Sequence, residues 1–317
     1  MIGILCHKKT YENKLIYEKL KSYGLKVKYV NSKFEDGFNL IISRVERDYL
    51  DEGIEKLKYY EKVCSVINNS KCVSICQNKY YTYRILKKYM PKTYYFSIYD
   101  YDKVVKNINC ENDDIINKNN KNYNFNNKIT NNTNFKNNKN NIGIYRKSIT
   151  GKIIQSIVSK ISFNKEKEYV IKPVYGGYGL NIYRFKNTDE LRRIFINKFY
   201  DKFIVQEYIP YKHDLRIFVI GNEVVSTMER IPKNDWRGNV SLGASVKEFK
   251  ITDEIEDMVL KCVEKIGCDI VGVDVLIDKN NKPYLLEMNI TPQFRGIIKF
   301  KDIPEEIGKY VLKIYKR

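Results

Sequence analysis

The sequence has few of the residues from which thiolate-metal and redox sites are usually built. Only 2 histidines and 7 cysteines occur among 317 residues, and no two cysteines have the Cys-x-x-Cys spacing of zinc and redox motifs. Cys72 and Cys76 are four residues apart, a spacing common on helix faces and in buried pairs. We therefore expect reduced cysteines with a structural role, as in a cytoplasmic protein.

Long apolar runs are missing as well. No stretch approaches the roughly 20 apolar residues that a membrane-spanning helix needs, and the opening residues Met1–Cys6 are too few for the core of a signal peptide. We expect no membrane segment and a cytoplasmic location. The hydrophobic content of 43% is typical of a globular protein, and the length suffices for two or three domains or lobes.

Acidic residues are too few to balance the basic ones, and the formal net charge is +19. Such an excess is typical of proteins with a polyanionic partner. However, the lysines are spread through every segment beside abundant Asn, Tyr and Ile, which a biased composition would also produce. No helix-turn-helix or RNA-binding signature accompanies the charge. A basic nucleic-acid-binding protein is therefore the weaker alternative, and the charge is equally able to attract a small acidic substrate.

Residues 1–78 alternate between short apolar strands and helical patterns, which predicts a parallel sheet with covering helices. Residues 107–141 are about half Asn with few aliphatic residues. Such a segment cannot bury enough surface to order itself, so we predict a disordered surface insertion there. The strands predicted before it are Ile2–Leu5, Val27–Val30, Leu40–Ser43, Lys71–Ile75 and Thr93–Ser97. The helices predicted before it are Tyr11–Tyr23, Tyr49–Cys64 and Lys79–Tyr89.

After the insertion, the pattern changes to longer apolar strands. Leu215–Ile220 and Glu223–Met228 should form a hairpin across Gly221-Asn222, a common turn pair. Asp253–Ile266 has apolar residues on one helical face and is predicted to be a helix. The remaining predicted elements are the strands Tyr169–Pro173 and Phe203–Tyr208 and the helix Thr188–Phe199.

Three oxygen-bearing side chains stand on two apolar strands near the end of the chain. Asp274 lies between Val273 and Val275, while Glu287 and Asn289 flank an apolar Met288. Because side chains alternate along a strand, Glu287 and Asn289 should face the same way. Two carboxylates and an amide form a hard ligand set that suits Mg²⁺ bound together with phosphates. The alternative is an ordinary hairpin whose polar residues face water.

A second candidate site is a glycine-rich turn after a buried strand. Lys172 ends the strand, and Gly176, Gly177 and Gly179 follow it. Glycines let backbone N–H groups approach phosphate oxygens, and a lysine adds a positive charge. The turn is neither a Walker loop nor a dinucleotide fingerprint. A plain hairpin turn would have the same glycines, so this motif alone does not identify a phosphate site.

Three further motifs follow in the chain. The strand ending at Glu207-Tyr208 could offer backbone groups to an adenine, or be only a core strand. Asp214 and Arg216 share one strand face, either as a salt bridge or with the arginine aimed at a phosphoryl group. Arg237-Gly238-Asn239 lies in a loop, where binding residues often occur.

The order of these motifs resembles the ATP-grasp ligases and, within them, the RimK-like α-L-glutamate ligases. The resemblance covers about residues 79–296 and implies an α/β chain with α+β lobes. It implies an N-terminal Rossmann-like α/β domain at residues 1–78, before an ATP-grasp fold. The small lobe would be 79–205, including the insertion, and the C-terminal lobe with the metal site would be 206–317. The aromatic Tyr178 in the glycine loop departs from the family pattern of small or polar residues.

The resemblance also implies a role for each motif. ATP would bind between two lobes together with two divalent ions, either Mg²⁺ or Mn²⁺. Phosphate contacts would come from Lys79, Lys172 and the loop glycines, Gly176, Gly177 and Gly179. Glu207 and Tyr208 would flank the adenine, Asp214 would lie near the ribose, and Arg237 and Asn239 would also contact the nucleotide. The metal ligands would be Asp274, Glu287 and Asn289, and the catalytic residues Arg216 and Arg237.

The implied reaction joins L-glutamate to a small acidic acceptor through an acyl phosphate. The segments around Ser43–Tyr49 and Cys76–Lys79 are most similar to the archaeal branch that adds α-linked glutamate to coenzyme γ-F420-2. The tetrahydromethanopterin branch is second, and ligases of ribosomal-protein tails or amino-group carrier proteins are further alternatives. The number and linkage of the glutamates, and any homo-oligomer, stay open at this point.

Overall fold

The computed structural model describes residues 1–31, 34–97, 139–162, 164, 166–177, 179–197, 201–233 and 235–316. The predicted Asn-rich insertion at 107–141 lies outside the described residues up to residue 138, and its last three residues begin a helix. Tyr178 of the glycine loop also lies outside them. Of the helices that the structure describes, none has the length and apolar stretch needed to span a bilayer.

The described residues form two compact units. The first comprises Met1–Thr93, Val174–Ile182 and Gln206–Arg317, and the second comprises Tyr94–Pro173 and Tyr183–Val205. The predicted domain limits at residues 78 and 205 stay predictions.

The helices are α1 (Tyr11–Ser22), α2 (Leu50–Tyr60), α3 (Ser70–Gln77), α4 (Lys79–Leu86), α5 (Lys139–Ile161), α6 (Thr188–Asn197), α7 (Asp253–Ile266) and α8 (Ile303–Tyr315). The strands are β1 (Ile2–Leu5), β2 (Val27–Val30), β3 (Leu40–Ser43), β4 (Ser65–Ile67), β5 (Thr93–Ser97), β6 (Tyr169–Pro173), β7 (Tyr183–Phe185), β8 (Lys202–Glu207), β9 (Tyr211–Ile220), β10 (Glu223–Ile231), β11 (Ser245–Glu248), β12 (Ile270–Asp278) and β13 (Pro283–Asn289).

The first unit begins with the predicted parallel sheet. Its strand order is β2-β1-β3-β4, and every pair is parallel. All residues of the central strands β1 and β3 are buried, because a parallel sheet with helices on its faces hides both sides of each strand. The predicted strands β1, β2 and β3 and the helix α1 are confirmed, and α1 is capped at Thr10, whose side chain accepts from Asn13 N.

The predicted strand at Lys71–Ile75 is wrong, because this segment belongs to helix α3. The side chain of Asn69 accepts a hydrogen bond from Cys72 N and caps the helix. Cys72, Val73 and Cys76 are buried at helical spacing, which outweighs the strand-like composition of so short a stretch. The fourth strand of the sheet is β4 instead, and the predicted helix after Tyr49 is shorter than expected, ending at Tyr60.

The first unit also contains a five-stranded antiparallel sheet of order β11-β10-β9-β12-β13. The predicted hairpin across Gly221-Asn222 is confirmed, with Gly221 at a φ of 61°. Helix α7 has the predicted bounds. It covers one face of the sheet, where Leu215, Ile217 and Val273 are buried. The six apolar residues predicted for its inner face are all buried: Ile255, Met258, Val259, Cys262, Val263 and Ile266.

The opposite face of this sheet changes character along its length. At one end, Phe218, Ile220 and Ile270 pack with Phe294 and helix α8 in an apolar cluster. At the other end, the same alternation places the charged or polar residues Arg216, Asp274, Glu287 and Asn289 on that face. We call this part of the sheet the polar half-face; the opposite face of the sheet is apolar.

The second unit contains β5, β8, β6 and β7 in that order, with helices α5 and α6. Its core includes Phe96, Phe185 and Phe203. The helix α5 has no counterpart among the predicted elements, although Ile153, Ile157 and their neighbours have helical spacing and are buried. The Asn-rich sequence at its start obscured that periodicity.

One buried side chain ties the two sheets of the first unit together. Asn68, directly after β4, donates to the carbonyl oxygens of Ile270 (2.7 Å) and Ile290 (3.1 Å). Its side-chain oxygen accepts from the backbone N–H groups of Asp269 (2.7 Å) and Ile270 (3.1 Å). All four hydrogen bonds are used, so the amide satisfies backbone groups that would otherwise be buried without partners.

We predict that Asn68→Ala lowers the free energy of unfolding by about 3 kcal/mol, because it leaves several buried backbone groups unsatisfied. Chemical denaturation followed by circular dichroism measures this change. Asn280→Ala, in the exposed turn between β12 and β13, is the matched control and should change stability by less than about 0.5 kcal/mol. Equal effects of the two substitutions on stability would contradict the stabilising role that we assign to the hydrogen bonds of Asn68.

Candidate functional site

The polar half-face of the antiparallel sheet brings together residues from several strands. Arg216 on β9 lies opposite Asp274 on β12, and Asp274 lies opposite Glu287 on β13. Asn289 is two residues along β13 from Glu287 and opposite Gly272. Met288, between them, is buried on the other face. The sequence-derived alternation of these residues is therefore confirmed.

Asp274 is the centre of this face. Nη2 of Arg216 donates to its Oδ2 at 3.3 Å, and Nε of Arg216 lies 2.7 Å from its Oδ1. That close pair lacks hydrogen-bond alignment, so Oδ1 of Asp274 is a buried oxygen that accepts no hydrogen bond from the described residues. Gly272 makes room for the guanidinium, because a Cβ there would lie 2.6 Å from Nη1 of Arg216.

Another charged residue, Arg230 on β10, is central to the site and was missed by sequence analysis. Its Nε donates to Oδ1 of Asp214 at 3.1 Å, its Nη2 also donates to that oxygen, and its Nη1 lies 3.4 Å from Oδ1 of Asp274. The exposed fractions of Asp214, Arg230 and Asp274 are 4%, 6% and 8%. The three residues therefore form a buried ion-pair cluster.

Burial and charge have opposite effects on these groups. Burial raises the pKa of Asp214 above its ordinary value, and the attraction of Arg230 only partly opposes this. Burial alone would lower the pKa of Arg230, but the carboxylates of Asp274 and Asp214 outweigh it and the pKa is raised. Arg230 therefore keeps its charge, and it is the charge that allows two carboxylates to lie inside the protein.

Asn289 links the carboxylates of the face. Its amide is best satisfied with the nitrogen donating to Oε1 of Glu287 (2.8 Å) and the oxygen accepting from Nη1 of Arg216 (3.2 Å). Nζ of Lys79, at the start of α4, lies 3.9 Å from Oε2 of Glu287 and donates to the carbonyl oxygen of Gly176 at 2.6 Å. Lys79 thus connects the oxygen set to the glycine loop.

The glycine loop is held from its other side by the Arg237 loop. Nη1 of Arg237 donates to the carbonyl oxygen of Gly179 at 2.5 Å. Gly179 has a φ of 71°, and a Cβ there would lie 2.7 Å from Oδ1 of Asn239, so only glycine fits. Arg237 also pairs with Asp235, whose pKa is lowered to about 2 by the hydrogen bonds from Arg237. The predicted Gly179, Arg237 and Asn239 are therefore brought together.

The remaining predicted residues have separate surroundings. Glu207 ends β8, and its backbone N–H donates to the carbonyl oxygen of Lys92 at 2.9 Å. The ring of Tyr208 meets Trp236 edge to face, with ring centroids 5.8 Å apart. Lys172 is the last residue but one of β6, in the second unit, and is half-buried. Gly177 lies in the first unit, where a Cβ would be 3.7 Å from Nη1 of Arg47.

The side chains on the polar half-face fit a divalent cation. Asp274, Glu287 and Asn289 carry two carboxylates and an amide oxygen, with no imidazole or thiol among them, and oxygen ligands are those that Mg²⁺ prefers. Oδ1 of Asp274 accepts no hydrogen bond from the described residues, but it lies 2.7 Å from Nε of Arg216 and 3.4 Å from Nη1 of Arg230. Arg216 now occupies the space around this carboxylate, so a cation would have to share it with the guanidinium.

The fold and this site define the class of protein. Solved ATP-grasp ligases share the whole chain architecture at about 12% identity: D-cycloserine synthetase has a TM-score of 0.63, covering 99% of this chain and 100% of the other. D-alanine–D-alanine ligase of Bacillus anthracis with ATP has a TM-score of 0.61, covering 100% and 97%. A RimK-domain ATP-grasp protein of Sphaerobacter thermophilus has a TM-score of 0.64, covering 98% and 99% at 12% identity. The chain has the ATP-grasp fold.

Sequence comparison narrows the class. The RimK-like ATP-grasp domain matches residues 137–311, more than half of the chain, so the protein belongs to the RimK-like ATP-grasp family. The tetrahydromethanopterin:α-L-glutamate ligase of Methanocaldococcus jannaschii is 35% identical over 173 residues, 52% of this chain and 58% of the relative. The coenzyme γ-F420-2:α-L-glutamate ligase of the same organism is 34% identical over 160 residues, 49% and 54%. The α-aminoadipate–LysW ligase of Saccharolobus solfataricus is 30% identical over 162 residues, 48% and 58%. The chain thus spans little more than half the length of these relatives.

We predict that Arg230→Met lowers the free energy of unfolding by about 3–5 kcal/mol, because it leaves Asp214 and Asp274 buried without their cation. Chemical denaturation of the full chain measures this loss. The deficit should shrink as the pH falls, because unpaired buried carboxyls have raised pKa values and protonation then favours the folded state.

Arg192→Met is the control for this substitution. Arg192 forms an exposed ion pair with Asp189 on α6, and such pairs contribute less than about 1 kcal/mol. A loss for Arg230→Met no larger than for Arg192→Met, or a deficit that grows at low pH, would contradict the ion-pair assignment.

Proposed function

We propose that the protein is an ATP-dependent carboxylate–amine ligase that adds L-glutamate to an acidic acceptor. The observation that carries the proposal is the polar half-face, where Asp274, Glu287 and Asn289 lie beside Arg216 on rigid strands. Lys79 connects this set to the glycine loop. Membership of the RimK-like family supports the same reaction class.

The residues around the glycine loop suit the nucleotide. Lys79 and the loop glycines would contact the phosphates. Glu207 and Tyr208 would flank the adenine, and the contact of Tyr208 with Trp236 supports an aromatic surface there. Asp214 is nearly fully buried and paired with Arg230, which favours a role in holding Arg230 and not a direct contact with the ribose.

Asp274, Glu287 and Asn289 would hold the divalent cation, Mg²⁺ or Mn²⁺, with two ions bound together with ATP. When bound, these ions neutralise phosphate charge and favour transfer of the terminal phosphoryl group. Arg216 and Arg237 would bind the negative charge that develops on the transferring group. Arg216 would thereby exchange part of its contact with Asp274 for a contact with phosphate.

The chemistry then proceeds in two transfers. An oxygen of the acceptor carboxylate attacks the terminal phosphorus of ATP, which forms an acyl phosphate and releases ADP. The amino group of glutamate attacks the acyl carbon, loses a proton, and displaces inorganic phosphate as the amide forms. No enzyme side chain needs to act as a covalent nucleophile, in keeping with the absence of a nucleophile–base pair among the residues described at the site.

For the acceptor, we propose coenzyme γ-F420-2, with the tetrahydromethanopterin precursor as the principal competitor. The segment Ser43–Tyr49 favours the first, and the relatives bearing both names match at nearly equal identity, 34% and 35%. Both are small and acidic, which suits a chain of net charge +19. Ligases named for the LysW carrier protein make a carrier protein the third candidate.

Glu287→Gln should abolish ATP turnover while leaving the fold intact, because it removes a carboxylate oxygen from the cation set without changing shape. ADP release with Mg²⁺, glutamate and acceptor measures turnover, and circular dichroism measures the fold. Glu264→Gln, on the exposed face of α7, is the control and should keep full activity. Near-normal turnover by the Glu287→Gln variant would contradict the proposal that Glu287 is a ligand of the divalent cation.

The acceptor assignment is tested by incubating the protein with Mg²⁺, ATP and L-glutamate against γ-F420-2, a tetrahydromethanopterin precursor, a LysW-type carrier and a ribosomal-protein tail peptide. We expect ADP release and a mass gain of glutamate with γ-F420-2. Turnover with another acceptor alone would keep the ligase and correct the substrate. Measurable ATP binding without turnover on any of them would reject glutamate transfer to this set of acceptors.

A further inference from the structure

Three thiols that the proposed reaction does not use lie together inside the first unit. Sγ of Cys72 is 3.0 Å from Sγ of Cys268, and Sγ of Cys76 is 3.7 Å from it. The three sulfur atoms all lie within 4.8 Å of one another, and all three residues are buried. We call Cys72, Cys76 and Cys268 the thiol cluster.

The sulfur atoms of Cys72 and Cys268 are closer than ordinary packing produces. Even carbon atoms keep about 3.5–4.0 Å between them in van der Waals contact, and sulfur is larger. The separation of 3.0 Å between Cys72 and Cys268 is also far from the about 2.05 Å of a disulfide. Around one metal ion with metal–sulfur bonds of about 2.3 Å, sulfurs lie about 3.8 Å apart in tetrahedral geometry and about 4.0 Å apart in trigonal-planar geometry. Cys76 and Cys268, at 3.7 Å, are close to this spacing, whereas the sulfurs of Cys72 and Cys268, at 3.0 Å, would have to separate by about 1 Å on metal binding.

The backbone around the cluster is fixed before any ion binds. Cys72 and Cys76 are one turn apart on α3, the spacing at which two side chains on one helix face can reach a single ion. Cys268 follows Gly267, which ends α7 in the left-handed conformation. Asn68 holds the start of α3 to Asp269 and Ile270 through three of its four hydrogen bonds. The ligands are therefore positioned by surrounding contacts, as in protein metal sites generally.

The chemistry of the cluster selects the ion. We propose that the thiol cluster is a structural binding site for a thiophilic d10 metal ion, Cu(I) or Zn(II), separate from the oxygen site on the sheet. Soft thiolates favour these ions over Mg²⁺. Among the described residues no fourth His, Cys, Asp or Glu joins the group. An all-sulfur set of three therefore favours Cu(I), since structural zinc almost always has four ligands.

Each cysteine would bind the ion as a thiolate, whose negative charge the ion itself compensates. The ion would join helix α3 to the segment that leads into β12, whose residues are distant in sequence. Its role would be to stabilise the fold that carries the oxygen site.

The test uses the full chain, reduced and stripped of metal. It is titrated anaerobically with Cu(I) and, in a separate arm, with Zn(II), each against a competing chelator, and with Cd(II) for its thiolate charge-transfer absorption. We expect one ion per chain, a Cd(II)–thiolate band, and a rise in Tm on binding, because an ion that binds only the folded chain stabilises it. Mg²⁺ at the oxygen site gives no such band, so the outcome does not depend on the ligase proposal.

Single serine substitutions locate the site. Cys72→Ser, Cys76→Ser and Cys268→Ser should each weaken binding by at least about 100-fold, whereas Cys262→Ser, an equally buried thiol outside the cluster, should bind like the unmodified chain. If the cluster variants fail to fold, the band and stoichiometry of the unmodified chain and of Cys262→Ser still decide the question. Absence of a band in the unmodified chain overturns the proposal, and so does a Cys72–Cys268 disulfide found by peptide mass spectrometry.

Discussion

The buried ion-pair cluster of Arg230 with Asp214 and Asp274 is the interaction on which the site depends. A sheet face that is apolar at one end could not hold two carboxylates at the other without a cation between them. Arg230 provides that cation and is itself kept charged by the carboxylates. The desolvation of these groups has a cost, and it is balanced only if their geometry is kept. Strand positions on this face are therefore strongly constrained.

That constraint also determines how the site can work. Oδ1 of Asp274 lies 3.4 Å from Nη1 of Arg230 and 2.7 Å from Nε of Arg216, so Asp274 and Arg216 form the closer pair. Under the proposed function, a cation at Asp274 and a phosphoryl group near Arg216 would each take one partner of this pair. Lys79 and Arg237 both donate to carbonyl oxygens of the glycine loop, so the loop position is coupled to the same set of cations.

Local features of the sequence predicted much of this arrangement. The inner face of α7 follows from helical spacing, and the alternation around Met288 placed Glu287 and Asn289 together. Sequence analysis missed Arg230 because the pairing of β10 with β9, which determines where Arg230 lies, has an irregular register. Counting back from the turn at Gly221-Asn222 places Glu229 opposite Asp214, but a β-bulge between Val224 and Ser226 shifts the register by one residue. The alternation of side chains along β10 could have indicated the position of Arg230 only if the bulge had been known. Likewise, the approach of Cys268 to Cys72, 196 residues away, depends on tertiary packing that spacing cannot show.

The contacts of Asn68 have a consequence for the order in which the chain can fold. Its partners at Ile270 and Ile290 are 202 and 222 residues further along. During synthesis, the N-terminal strands leave the ribosome long before the strands that complete their surroundings. Long-range contacts of this kind slow folding and leave apolar surface exposed in the meantime. The buried hydrogen bonds of Asn68 can therefore form only after β12 and β13 have been synthesised, and until then the α/β segment lacks part of its native surroundings.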